Sequence, residues 1–139
     1  MFDNEEEEDD EQIKVVLVGE SGVGKTSIIN RLINNEFNDN RKVTIGANYT
    51  LKKINLPQYN KNITLEIWDT AGQENYRSFT KLFYKNAKIA VLVYDITNSI
   101  SYNEIKNYWI KQIKEDCEKD LSKIFIIFLF FYSFGTDWK

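Results

Sequence analysis

Val15-Val16-Leu17-Val18-Gly19-Glu20-Ser21-Gly22-Val23-Gly24-Lys25-Thr26 is the stretch on which the fold turns. Ile13 to Val18 reads as a short buried strand, and Thr26 to Phe37 reads as an amphipathic helix. Between them, Gly19, Gly24, Lys25 and Thr26 satisfy the spacing G-x-x-x-x-G-K-S/T of a phosphate-binding loop. Glycines let the backbone wrap an anion and aim its N–H groups inward, and the following helix turns its positive end to the same anion. Lysine at the position of Lys25 reaches β- and γ-phosphates, and a hydroxyl at the position of Thr26 helps to hold Mg2+. A glycine-rich turn matching by chance does not account for the strand before it and the helix after it. The stretch therefore points to nucleoside triphosphate binding.

Working outward, Ile28, Ile29, Leu32 and Ile33 form one apolar stripe at helical period. A hairpin is expected next, from Tyr49 to Leu56, through a turn at Pro57 to Asn62, and back along Ile63 to Asp69. Its second arm places Ile63, Leu65 and Ile67 on one face and Thr64, Glu66 and Trp68 on the other. In the first arm the apolar parity changes between Leu51 and Ile54, which predicts a bulge or twist there. Ile89 to Tyr94, inside Ala87 to Ile96, is apolar throughout, the pattern of a strand covered on both faces. Tyr102, Ile105, Trp109 and Ile113 mark one side of a later helix, and Ile124 to Phe131 is a last apolar strand. No internal repeat is present. The element order predicts an α/β fold with a mainly parallel sheet and one antiparallel edge hairpin.

A chain of 139 residues has room for one domain with a real core. The single cysteine, Cys117, excludes an internal disulfide and fits a reducing compartment. Residues 3–11 are almost wholly acidic, so they do not read as a secretory signal. They hold eight of the 21 acidic residues, which leaves 13 acids against 18 bases and a body of about +5. We expect residues 1–11 to be a solvated, disordered tail and residues 12–139 to form the folded part. A mildly basic body suits a phosphate ligand. Nucleic acid is not expected as a partner, because no basic stripe with interleaved aromatics appears.

Directly after the hairpin stands Trp68-Asp69-Thr70-Ala71-Gly72-Gln73-Glu74. A carboxylate such as Asp69, at the end of a strand beside a phosphate loop, can hold a Mg2+-bound water. Gly72 leaves room for a backbone N–H to approach a terminal phosphate, and Gln73 can orient a water while staying neutral. Thr44, in the loop before the hairpin, offers a further hydroxyl to the metal.

With these residues in hand, the chain resembles the Ras superfamily of small GTPases, and its Rab branch most closely, from about Gln12 to about Ile127. The resemblance rests on Gly19 to Ser27, on Thr44-Ile45-Gly46, on Trp68 to Glu74, on Tyr76-Arg77-Ser78 with Phe83-Tyr84, and on Leu92-Val93-Tyr94-Asp95-Ile96-Thr97. It implies the small G domain of the P-loop NTPases, a GTPase that regulates vesicle traffic, with GTP or GDP and Mg2+ as cofactors. By position it assigns nucleotide binding to Gly19, Ser21, Gly22, Val23, Gly24, Lys25, Thr26, Ser27, Phe37, Thr44, Asp69 and Gly72. Phe37 would pack against the guanine. Thr26, Thr44 and Asp69 would serve the metal, and Lys25 and Gln73 the hydrolysis. Residues around 38–48 and 71–83 would be the two switches, read by effector, exchange-factor and activating proteins. Tyr49, Trp68 and Phe83 would form an effector-facing aromatic triad, with the usual Phe and Tyr exchanged at the outer two places. The implied location is cytoplasmic, peripheral to endomembranes.

The chain also departs from that pattern. After the strand Ile124 to Phe128 the family carries Asn-Lys-x-Asp for guanine selectivity, where this chain reads Leu129-Phe130-Phe131-Tyr132-Ser133-Phe134-Gly135-Thr136-Asp137-Trp138-Lys139. Asp137 lacks the Asn-Lys partners. The Ser-Ala-Lys loop, the final strand and helices, and C-terminal cysteines for a prenyl anchor are not found, so no direct membrane anchor is expected. We therefore expect a G domain incomplete at the C-terminus, from truncation or a faulty gene model near Phe128, with an open apolar strand edge prone to aggregation. That apolar segment is short of the about 20 residues a membrane span needs. Two other readings are a fragment that holds nucleotide phosphates with little turnover or guanine selectivity, and a different P-loop enzyme that prefers ATP.

Overall fold

Among the described residues, five strands form the sheet that carries the glycine loop: β1 (Glu11–Val18), β2 (Ala47–Leu56), β3 (Lys61–Thr70), β4 (Ile89–Asp95) and β5 (Phe125–Phe131). They lie in the order β2-β3-β1-β4-β5, parallel throughout except for the antiparallel pair β2–β3. This is the expected α/β sheet with one antiparallel edge hairpin. The computed structural model describes residues 10–36, 47–72, 77–116 and 125–131.

β1 lies between β3 and β4, with Val15 opposite both Ile67 and Ile89. Its side chains alternate between two cores, as strand geometry requires. On one face Val16 and Val18 join Ala90 and Leu92 beneath Ile105, Trp109 and Ile113. On the other, Val15 and Leu17 join Ile67, Val91 and Val93 beneath Val23 and Ile29. Cover on both faces explains why residues 15–18 of β1 and 89–94 of β4 are apolar at every position rather than at alternate ones.

Helix α1 (Lys25–Asn34) follows the loop. It stops short of the expected end at Phe37 because Asn35 turns left-handed, with φ 55°, and its N–H donates to the Arg31 carbonyl at 3.1 Å. Ile29 is buried and Ile28 and Ile33 pack partly against the same core, but Leu32 stays exposed.

The predicted bulge in the hairpin is not there. Pairing runs unbroken from Ala47 opposite Thr70 to Leu56 opposite Lys61. The parity change has another cause: β2 is an edge strand with apolar residues on both faces. Tyr49 and Leu51 lie on the more open face and are exposed, while Ile54 and Leu56 lie on the other. A 3-10 turn at Pro57–Tyr59 closes the hairpin, and Asn60 takes the left-handed position, with φ 50°.

Helix α2 (Arg77–Tyr84) lies between β3 and β4 in the chain. After β4, Asn98 caps a continuous helical run through its side-chain oxygen, which accepts from the Ile100 and Ser101 N–H groups at 3.0 and 3.4 Å. The run comprises α3 (Ser99–Glu104), a π-helical turn (Ile105–Trp109) and α4 (Ile110–Asp116). Ser101, Ile105, Trp109 and Ile113 are all buried. A spacing of four drifts by about 40° per step around an α-helix of 3.6 residues per turn. The π turn inserts extra backbone and returns the row to the core. Tyr102, expected on the buried side, is 43% exposed, because the row continues back to Ser101 instead.

Glu11, grouped with the acidic tail by composition, is the first residue of β1 and pairs with Ile63. Asp10 accepts from Lys53 at 3.2 Å. Residues 1–9 of the expected tail, and the Tyr132 to Lys139 stretch, lie outside the described residues. Among the described residues no helix is long and apolar enough to cross a membrane.

Candidate functional site

The site forms where β1, β3 and α1 meet. The loop from Gly19 to Gly24 leaves β1 through three positive-φ glycines, at 148° for Gly19, 76° for Gly22 and 104° for Gly24. At Gly19 a side chain is excluded twice over: the backbone is left-handed, and a Cβ would overlap the Val93 carbonyl of the neighbouring strand. Val23 turns back into the core and anchors the loop. Ser21 and Gly22 are exposed, and Ser27 is half-buried.

Lys25 opens α1 yet is only 5% exposed. Its Nζ donates to the Gly19 carbonyl at 2.9 Å and the Glu20 carbonyl at 2.7 Å, so the loop curls around the ammonium. Burial pushes the Lys25 pKa down to about 8, against the pull of the Asp69 and Glu20 charges. Beside it, Thr26 Oγ1 donates to Asp69 Oδ2 at 2.5 Å. Asp69 is 3% exposed, and burial raises its pKa, opposed by the Thr26 hydrogen bond and the Lys25 charge. Its other oxygen, Oδ1, is buried without a hydrogen-bond partner. A buried carboxylate oxygen with an unused lone pair, beside a hydroxyl, is the oxygen chemistry that suits a hydrated Mg2+. The residues present fit that ion.

The end of β3 is locked to β1 by Thr70 Oγ1, which donates to the Leu17 carbonyl at 2.6 Å. Gly72 then packs directly on the loop: a Cβ there would overlap backbone atoms of Gly19, Glu20 and Ser21. Room for a terminal phosphate is the reason the sequence offers for this glycine; the contact that demands it here is with the loop backbone itself.

Of the sequence-predicted residues, the fold brings together Gly19, Gly22, Val23, Gly24, Lys25, Thr26, Asp69 and Gly72. Phe37, Thr44 and Gln73 lie outside the described residues. A second constellation is also assembled. Trp68 lies 4.9 Å from Tyr49 and 5.2 Å from Phe83 between ring centroids, a continuous aromatic row across β2, β3 and α2. Lys14 Nζ lies 5.2 Å from the Trp68 ring.

Sequence reasoning missed one cluster. Glu20 Oε1 accepts from Arg77 Nη2 at 2.5 Å and from Trp109 Nε1 at 3.2 Å, and the same Arg77 nitrogen donates to Glu104 Oε2 at 3.0 Å. Glu20 occupies a position that the loop spacing leaves unspecified, so its only signal is an acid where any residue satisfies the pattern.

Comparison with known proteins matches residues 14–128 to the Ras family. The curated "Ras-related protein Rab-11C" of Dictyostelium discoideum is 41% identical over 117 residues, covering 84% of this chain and 51% of that protein. "Ras-related protein YPT3" of Nicotiana plumbaginifolia is 40% identical over 116 residues, covering 84% and 52%. "GTP-binding protein ypt3" of Schizosaccharomyces pombe is 42% identical over 117 residues, covering 84% and 53%. The chain spans about half the length of the curated relatives it matches.

Proposed function

The chain belongs to the Ras family, within its Rab branch, and from that premise we propose that it is a switch that binds and hydrolyses GTP and regulates vesicle traffic through effectors. The observation that carries this reading is the convergence of Lys25, Thr26 and Asp69 under one glycine loop. Backbone N–H groups of the loop and the start of α1 receive the phosphates, and the Lys25 ammonium offsets charge on the β- and γ-phosphates. Thr26 and Asp69, with Thr44, would hold Mg2+, which when bound neutralises charge on the phosphate oxygens. The family resemblance gives the guanine to Phe37.

Hydrolysis asks for positioning rather than covalent chemistry. Gln73 orients the attacking water. Thr44 and the Gly72 N–H respond to the terminal phosphate, so its loss releases both switch segments. The row Tyr49, Trp68 and Phe83 offers effectors a large aromatic contact. Exchange and activating proteins act on the same segments.

Two assays test this reading. Competition between GTP and ATP should favour GTP strongly; equal affinity, or preference for ATP, would contradict it. In single-turnover phosphate release, Gln73→Leu should bind nucleotide but hydrolyse far more slowly than wild type. Equal rates would remove Gln73 from its assigned place. Nucleotide held without any phosphate release from wild type would favour a non-catalytic phosphate-binding module.

A further inference from the structure

Arg77, the first residue of α2, is gripped from several sides. Its Nη2 donates to Glu20 at 2.5 Å and Glu104 at 3.0 Å, and its guanidinium lies 4.2 Å from the Tyr108 ring centroid and 5.5 Å from that of Trp109. The side chains of Arg77, Glu20 and Glu104 are only 15%, 22% and 31% exposed. Partial burial and charge make such bonds stronger than an ion pair on open surface. The two consecutive residues that meet this guanidinium, Tyr108 and Trp109, are the last two of the π turn.

Glu20 is therefore held at both ends. Its side chain is bound by Arg77 and Trp109, while Gly72 presses on its backbone. Its carbonyl, in turn, accepts from Lys25 Nζ at 2.7 Å. We propose that Glu20 and Arg77 are positioning residues for Lys25: their ion pair fixes the Glu20 carbonyl, and through it the ammonium that meets the phosphates. Nucleotide retention then depends on where α2 begins, and any displacement of Arg77 loosens the phosphate grip. The proposal rests on the reading of Gly19–Thr26 as a nucleotide-phosphate site.

The test is the dissociation rate of a fluorescent GDP analogue from the full chain in Mg2+. Glu20→Gln and Arg77→Met should each speed release by about tenfold, the lower end for a charged hydrogen bond shared with a second acceptor. The double variant should be no faster than the faster single, because both changes remove the same link. Arg77→Lys should restore part of the loss. Trp109→Phe keeps the packing and removes one donor, and should speed release by a smaller factor. Ile113→Ala destabilises the same core but removes no charge or hydrogen bond of the cluster, and should release nucleotide at close to the wild-type rate. Single-variant effects that multiply in the double, or release by Ile113→Ala as fast as by Arg77→Met, would overturn the proposal. Retention by both single variants equal to wild type would overturn it while leaving the phosphate site intact. A wild-type chain that retains no nucleotide would overturn the phosphate reading and this proposal together.

Discussion

Thr26 Oγ1 and Asp69 Oδ2 meet at 2.5 Å across 43 positions of sequence, tying the first turn of α1 to the end of β3. The Asp69 oxygen facing away from this bond is buried and unpaired. If its partner is the hydration shell of Mg2+, Asp69→Asn should act mainly when the metal is present. Nucleotide affinity in Mg2+ should fall about 10- to 100-fold, the usual cost of losing a supporting ligand. With a chelator present the difference should be much smaller, coming only from the lost Asp69 charge beside Lys25. Displacement of a fluorescent nucleotide measures both conditions, and an equal loss in both would contradict the metal role.

Lys25 predicts a pH dependence. Its pKa is about 8 in the folded chain, against 10.5 in water. Between those values the unfolded chain binds more protons than the folded one, so the stability of the ligand-free protein rises with pH across that window. Below about pH 8 this group adds no slope. Phosphates require the charged form, so nucleotide binding near pH 9 should take up close to one proton, and affinity should fall as pH rises through the window. Calorimetry in buffers of different ionisation enthalpy counts that proton. Wild type should show the uptake near pH 9 and almost none near pH 7, where Lys25 is already charged.

Gly72→Ala should disturb the loop from outside it. The added methyl meets backbone atoms of Gly19, Glu20 and Ser21, which cannot swing aside as a side chain can. Overpacking of this kind costs about 1–3 kcal/mol. The distinguishing effect is on ligand binding: the rise in Tm caused by magnesium and GDP should shrink in the variant. A full ligand-induced rise would show that the loop keeps its shape.

The buried row on the helical run predicts an asymmetry in stability. Ile113 is fully buried, whereas Tyr102 is 43% exposed. Ile113→Ala should cost about 2–5 kcal/mol in denaturant unfolding. Tyr102→Ala should cost less, since over two-fifths of its surface stays in water on folding. Comparable losses would mean that the π turn does not set the register of the run.

What the chain discloses before folding depends on distance along it. The glycine loop, the two faces of β3 and the doubly covered β4 follow from local spacing and alternation, and the fold bears them out. Local patterns failed where two environments overlap. The parity change between Leu51 and Ile54 looked like a bulge or twist because an edge strand can carry apolar residues on both faces. Tyr102 looked buried because 3.6-residue spacing does not foresee a π turn. The Glu20–Arg77 contact spans 57 positions and arises only once α2 is placed, so no local pattern announces it. The roles of Phe37, Thr44 and Gln73 come from family resemblance alone.

Isothermal titration of the folded full chain with magnesium and GDP asks whether the glycine loop with Asp69 grips a nucleotide. Saturable heat at one site per chain, abolished by Lys25→Ala, is the expected outcome. Folded protein that gives no heat with magnesium and GDP, GTP or ATP would contradict it.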